Sequence, residues 1–255
     1  MSQGDAMDGE AEKDRLIAPL TGDGYTVVLK NLHKFLRPKT YLEVGARSGR
    51  SLELAECDTI AVDPTFTLRQ TFLGKKPSCL LYQIGSDQFF REQDPVALFG
   101  RPVDLAFLDG MHLVEFLLRD FMNTEKHCSR NSVIAMHDCV PADFAMTRRV
   151  EIVPKDAQSK NEPTWWLGDV WKIVPILRKH RPDLRIYLVD APPSGLVLVT
   201  NFDPDSTVLS DNYADLVEEA AAMGEEDLKA YIQSIKLTPS TEFKTFESIS
   251  RYFYL

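Results

Sequence analysis

Residues 41–51 read YLEVGARSGRS. The apolar run before Gly45 has strand character. Gly45 and Gly49 let the backbone turn tightly and approach a ligand closely. The segment is expected to end a first strand and open a helix, whose first turn offers unpaired N–H groups. Its spacing, G-x-x-x-G-x-S, is neither the G-x-G-x-x-G dinucleotide fingerprint nor a phosphate loop closing on Gly-Lys-Ser or Gly-Lys-Thr. A second strand then closes on AVDP (61–64), which puts Asp63 beside the loop. An acid at the end of the second strand can accept hydrogen bonds from both hydroxyls of a ribose. It can also cap the turn before Pro64. The glycine loop 14 positions upstream favours the ribose.

Outward from this stretch, short apolar runs alternate with amphipathic ones. Strands are expected at Thr40–Gly45, Thr59–Asp63, Cys79–Gly85, Val103–Asp109, Ser132–Asp138, Arg185–Asp190 and Gly195–Asn201. VDLAFLD and SVIAMHD are nearly continuous in apolar residues, which suits strands covered on both faces of a parallel sheet. Leu113–Cys128 reads as a helix with Val114, Leu117, Leu118, Phe121 and Met122 on one face, and Glu115, Arg119, Asp120 and Asn123 on the other. Trp165–His180 is a second, less regular candidate, interrupted by Pro175. The βαβ alternation predicts an α/β, Rossmann-like, doubly wound sheet with helices on both faces. Only VDAPPSG separates the last two strands, too little for a helical crossover, so they should pair as an antiparallel hairpin.

The chain has 255 residues, 44% of them apolar and 26% charged, ordinary values for a globular protein. Its net charge of −9 leaves no basic footprint for nucleic acid, and no apolar run is long enough to span a bilayer. Residues 1–20 read as a flexible acidic tail without a signal-peptide core, residues 21–205 as the main domain, and 206–255 as a C-terminal helical extension. Within the domain, 139–164 is polar and irregular, either a lid or substrate loop or a surface insertion. DNYADLVEEAAAM and EEDLKAYIQSI are the clearest helices of the extension. Its aromatic end (Phe243, Phe246, Tyr252, Phe253, Tyr254) should dock on the domain or on another subunit, and a homodimer through these helices is the expectation. The cysteines Cys57, Cys79, Cys128 and Cys139 are too scattered for a zinc knuckle or disulfide framework and suit a cytoplasmic protein.

Two strand ends carry polar groups. FLDGMH supplies Asp109 and His112; MHDC supplies His137 and Asp138. The fourth and fifth strands are neighbours in the expected order, so their ends lie roughly 5 Å apart. Two carboxylates and a histidine can hold a divalent cation, Mg²⁺ if oxygen dominates, Mn²⁺, Fe²⁺ or Zn²⁺ with imidazole. Successive strand residues face opposite ways, so His137 and Asp138 can share a metal only if the strand has already bent there. The metal-free alternative has Asp109 meeting a cofactor or capping a turn, with His137 bonded to backbone. His112 could take a proton, its ordinary pKa lying near 6.5. His33 and His180 read as surface residues, and His127 as a cation at a helix end. Trp165, Trp166 and Trp171 read as core anchors or as walls of an acceptor pocket, with core favoured. Arg148 and Arg149 read as a solvated charge pair.

These features together resemble the class I methyltransferases that use S-adenosylmethionine. EVGARSG resembles their first motif, AVDP their ribose motif and GSDQFF their adenine-side motif, over about residues 25–201. The resemblance implies a seven-stranded sheet of order 3-2-1-4-5-7-6 with the last strand antiparallel. It implies Glu43, Gly45, Ser48 and Gly49 near the amino-acid part of the cofactor, Asp63 on the ribose, and Ser86 and Asp87 near the adenine, with Asp109 also beside it. DGxH and the strand-five acids are similar to a narrower branch, the metal-dependent sugar O-methyltransferases of macrolide biosynthesis and cephalosporin hydroxylase-type proteins. That likeness implies Asp109 and Asp138 as Mg²⁺ ligands, His112 as general base, and a small hydroxyl-bearing acceptor. His137 departs from it, standing where the branch has an acid. Rival readings are a metal-free N- or C-methyltransferase, a cofactor-binding protein without catalysis, and an NAD-dependent oxidoreductase, which the glycine spacing opposes.

Overall fold

The computed structural model describes residues 15–160 and 165–255. The first 14 positions of the expected tail, and 161–164 of the expected loop, lie outside the described residues. The elements in chain order are α1 (Tyr25–Leu36), β1 (Thr40–Val44), β2 (Asp58–Val62), β3 (Cys79–Tyr82), α2 (Ser86–Glu92), α3 (Pro95–Phe99), β4 (Val103–Leu108), α4 (Val114–Glu125) and β5 (Cys128–His137). There follow α5 (Ile173–His180), β6 (Arg185–Val189), β7 (Leu196–Thr200), α6 (Val208–Asp211), α7 (Tyr213–Ala222), α8 (Glu225–Ser234), β8 (Leu237–Thr238) and α9 (Phe246–Ile249).

All seven expected strands form, in the sheet order β3-β2-β1-β4-β5-β7-β6-β8. β7 runs antiparallel to both β5 and β6, as the short VDAPPSG connection requires. Every residue of β1, β4 and β7 is buried, in keeping with strands covered on both faces. β8 is an unexpected eighth strand, two residues long and parallel to β6, too short to show any alternation.

One face of the sheet packs on α4, α5, α7 and α8 through Leu117, Phe121, Ile176, Leu216 and Tyr231. The other face is closed by α1 and the C-terminal end, where Val28, Leu29 and Leu32 meet Phe243, Ile249 and Phe253. The aromatic end therefore docks on its own domain, while Phe246 and Tyr254 stay exposed.

Four expectations need correction. No α-helix follows the glycine loop; a single 3-10 turn, Leu52–Leu54, stands there. Leu52 is buried in the face that α1 and the aromatic end already fill. The helix expected from Trp165 begins only at Ile173, because Gly168 takes a left-handed φ of 61°; Pro175 then sits in its first turn, where a missing N–H is tolerated. Asp120 is not on a solvent face of α4: it is 3% exposed, and burial, partly opposed by a Ser86 hydrogen bond, raises its carboxyl to about 7. His33 is buried rather than at the surface, edge-on to Tyr41 at 4.6 Å between ring centres.

Candidate active site

The turn after β1 holds its shape through positive φ at Gly45 (89°) and Gly49 (72°). A Cβ on Gly45 would run into the Asp109 carbonyl, so glycine lets the ends of β1 and β4 close together. Asp63 follows β2 and pins the loop: Oδ2 accepts from the Arg47 amide at 2.8 Å and Oδ1 from the Thr65 amide at 2.7 Å. It caps the turn as well as facing the loop, and each carboxylate oxygen keeps a second acceptor site. A cleft of about 840 Å³ opens over these strand ends. Gly45, Ser48, Asp63, Ser86, Asp87 and Asp109 line it.

Two expected cofactor residues stand elsewhere. Glu43 lies beneath the loop, its oxygens accepting from Ser51 Oγ at 2.6 Å and Tyr41 Oη at 2.8 Å. Burial raises its carboxyl to about 7 against the pull of those two hydroxyls. Gly49 faces Phe72 and Leu68 behind the loop. Asp87 lines the cleft but is held at both oxygens by Arg119, each at 2.8 Å.

At one side of the cleft four groups interlock. β5 ends at His137, and Asp138 has a left-handed φ of 62°, which swings its carboxylate to the same side as His137. The strand has bent where sharing requires it to. His137 Nδ1 is 3.4 Å from Asp109 Oδ1 and 3.3 Å from Asp138 Oδ1. His112 Nε2 is 3.5 Å from Asp109 Oδ1 and 3.3 Å from Asp138 Oδ2. Ser194 Oγ, from the β6–β7 turn, donates to Asp138 Oδ1. One donor atom each from Asp109, His137 and Asp138 lie within 4.8 Å of one another.

The electrostatics follow from this ring of alternating acids and imidazoles. Burial lowers the His112 pKa, but the Asp109 hydrogen bond and the two carboxylate charges outweigh it and lift it to about 9. Burial lowers His137 too, and the Asp138 and Asp109 charges carry it to about 10. Burial raises Asp109, and the two histidines bring it well below the ordinary carboxylate range. The acids beside them thus favour the protonated form of both imidazoles.

Aromatic rings cover both imidazoles. Trp166 stacks on His112 at 5.1 Å between centres, and its carbonyl meets His112 Nδ1 at 3.1 Å. Tyr25, from α1, lies over His137 at 4.0 Å. Trp165 and Trp166 are thus cleft walls, correcting the core reading, whereas Trp171 is a core anchor at 1% exposure. The described part of 139–164 packs beside them, with Ala142, Met146 and Leu167 in a small apolar cluster. Arg149 is exposed, as expected, and pairs with Glu115 at 2.5 Å and Asp169 at 2.6 Å. Sequence reading missed Tyr25, Arg50, Asp120 and Ser194 as lining residues; Arg50 follows Gly49 in the glycine loop itself, while the other three come from distant segments.

No protein-family model and no curated protein matches the chain. Among solved structures it is similar to the O-methyltransferase TomG from Streptomyces achromogenes (13% identity, 70% of this chain and 79% of that one, TM-score 0.46). It is also similar to the O-methyltransferase from Bacillus cereus (14%, 77% and 89%, 0.45). A third is the Podospora anserina methyltransferase PaMTH1 (12%, 78% and 95%, 0.45). Likeness at that level bears on neither activity nor ligand; the strand order itself defines the fold.

Proposed function

We propose that this protein is an S-adenosylmethionine-dependent O-methyltransferase acting on a hydroxyl of a small, sugar-like or secondary-metabolite acceptor. The observation that carries the reading is the convergence of Asp109, His112, His137 and Asp138 on one side of a cleft whose other wall is the glycine loop and Asp63. Asp63 would hold the ribose, the loop with Ser48 the amino-acid part, and Ser86 the adenine side. The cleft volume, about 840 Å³, suits a ligand of that size.

The donor set also fits a divalent cation. Asp109, His137 and Asp138 would hold it, and two carboxylates with one imidazole suit Mn²⁺, Fe²⁺ or Zn²⁺ as well as Mg²⁺. Bound there, the cation would lower the pKa of the acceptor hydroxyl and fix its oxygen. His112 Nε2, within 3.5 Å of both carboxylates, reaches the same space and, in its neutral form, populated as pH rises toward about 9, would take the hydroxyl proton. Trp166 and Asp109 hold its ring in place. In-line attack on the methyl group makes such positioning a large part of catalysis. Trp165 and Trp166 offer indole faces to the acceptor. The four unpaired cysteines support a reducing, cytoplasmic setting.

Calorimetry with S-adenosylmethionine, run with Mn²⁺ or Mg²⁺ and again with chelator, tests the reading, with NADH as control. The expected result is binding of S-adenosylmethionine but not NADH, and a separate metal heat lost in Asp138→Asn. His112→Ala should keep cofactor binding and lose about 10²–10⁴-fold in turnover. Turnover that survives chelator would point to metal-free N- or C-methyl transfer. Binding without turnover across a broad acceptor panel would mean a cofactor-binding protein.

A further inference from the structure

α4 turns one carboxylate inward. Asp120 is 3% exposed, stands with Ser86 and Gly110 in the cleft wall, and its Oδ1 has no hydrogen-bond partner among the described residues. The Ser86 hydroxyl pulls against the burial that raises this carboxyl. Gly110 makes room for it: a Cβ there would lie 3.5 Å from Asp120 Oδ2 and 3.3 Å from Val44. Leaving a buried acceptor unpaired is costly. The neighbouring acid Asp87 is already paired at both oxygens with Arg119.

We infer that Asp120, and not Asp87, reads the base of the bound cofactor, Oδ1 accepting the exocyclic amine of adenine. This rests on the S-adenosylmethionine pocket proposed above. An aspartate turns in a broad χ2 well, so a small rotation presents Oδ1 to the cleft. An adenine supplies the donor that Oδ1 lacks. With the carboxyl ionised, at a pH well above about 7 where the titration below is run, a hypoxanthine sets a carbonyl oxygen at the same place, lone pair against lone pair. Asp120 is then a specificity-determining residue that rejects deaminated cofactor.

The test titrates S-adenosylhomocysteine and S-inosylhomocysteine into wild type and Asp120→Asn, with melting curves to show that the variant is folded. Wild type should bind the adenine form about 10- to 100-fold more tightly. Asparagine offers a donor as well as an acceptor, so the two forms should come close to parity. Asp120→Ser is the second variant, expected to lose adenine affinity without gaining any for the inosine form. An unchanged ratio in folded Asp120→Asn overturns the inference while leaving the cofactor reading intact. Failure of wild type to bind either compound overturns both together.

Discussion

Glu43 is a carboxyl without solvent, sandwiched between two hydroxyl donors. It titrates near 7 folded and near 4.5 in the reference state. Between those values the folded protein holds more protons than the unfolded chain, so stability falls as pH rises through the window. The cost is absent below 4.5 and complete above 7, about 3 kcal/mol. Glu43→Gln should therefore gain on wild type between pH 5 and pH 8 in melting curves; parallel curves would refute it. His33 has the opposite sign. Burial, then the Lys76 charge, lower it to about 3 from 6.5, and neither ring nitrogen has a hydrogen-bond partner among the described residues. Its neutral form contributes stability above 6.5 that drains away as pH falls toward 3. His33→Phe, keeping a ring against Tyr41, should be more stable than wild type at pH 5 by about 2 kcal/mol, read by urea denaturation. The burial of His33, like that of Asp120, was not legible in the sequence. Helical spacing says which residues share a face, but the groups that bury His33 and Asp120 come from β1 and from the Ser86 turn.

The strands were the most legible elements, because β4 and the second half of β5 are nearly continuous in apolar residues and the glycine loop marks where β1 ends. The missing helix after that loop was not, since α1 and the aromatic end occupy its face from distant parts of the chain. Phe253, 1% exposed, fixes that end, and Phe253→Ala should cost about 3–5 kcal/mol in chemical denaturation. The turn from α5 to β6 is held otherwise. Arg181 reaches Glu125 at 2.7 and 2.8 Å while 2% exposed. Arg181→Met strands a buried Glu125 and should cost about 3–5 kcal/mol; a loss below about 1 kcal/mol would mean that the pair is weakly coupled. Gly168 has a φ of 61° and abuts the His112 carbonyl. Gly168→Ala should cost more than about 1 kcal/mol and displace the Trp166–His112 stack, visible as a shift in tryptophan fluorescence.

The acids and imidazoles of the cluster could be read from strand ends and motif spacing, but their covers could not. Tyr25, Trp166 and Ser194 reach the same point from an N-terminal helix, a late loop and a hairpin turn, and only the closed sheet brings them together. A homodimer through the C-terminal helices would have to use their outer faces, because Leu216, Leu228 and Ile232 are spent inside; light scattering of the full chain checks it. The lock between α1 and Phe243, Ile249 and Phe253 also bears on biosynthesis. Residues 25–36 are synthesised before positions 243–253, so the part of α1 that meets this end has to wait for it. Over that interval the nascent chain carries a partly uncovered leucine-rich stripe, the kind of surface that chaperones bind and that aggregation begins from.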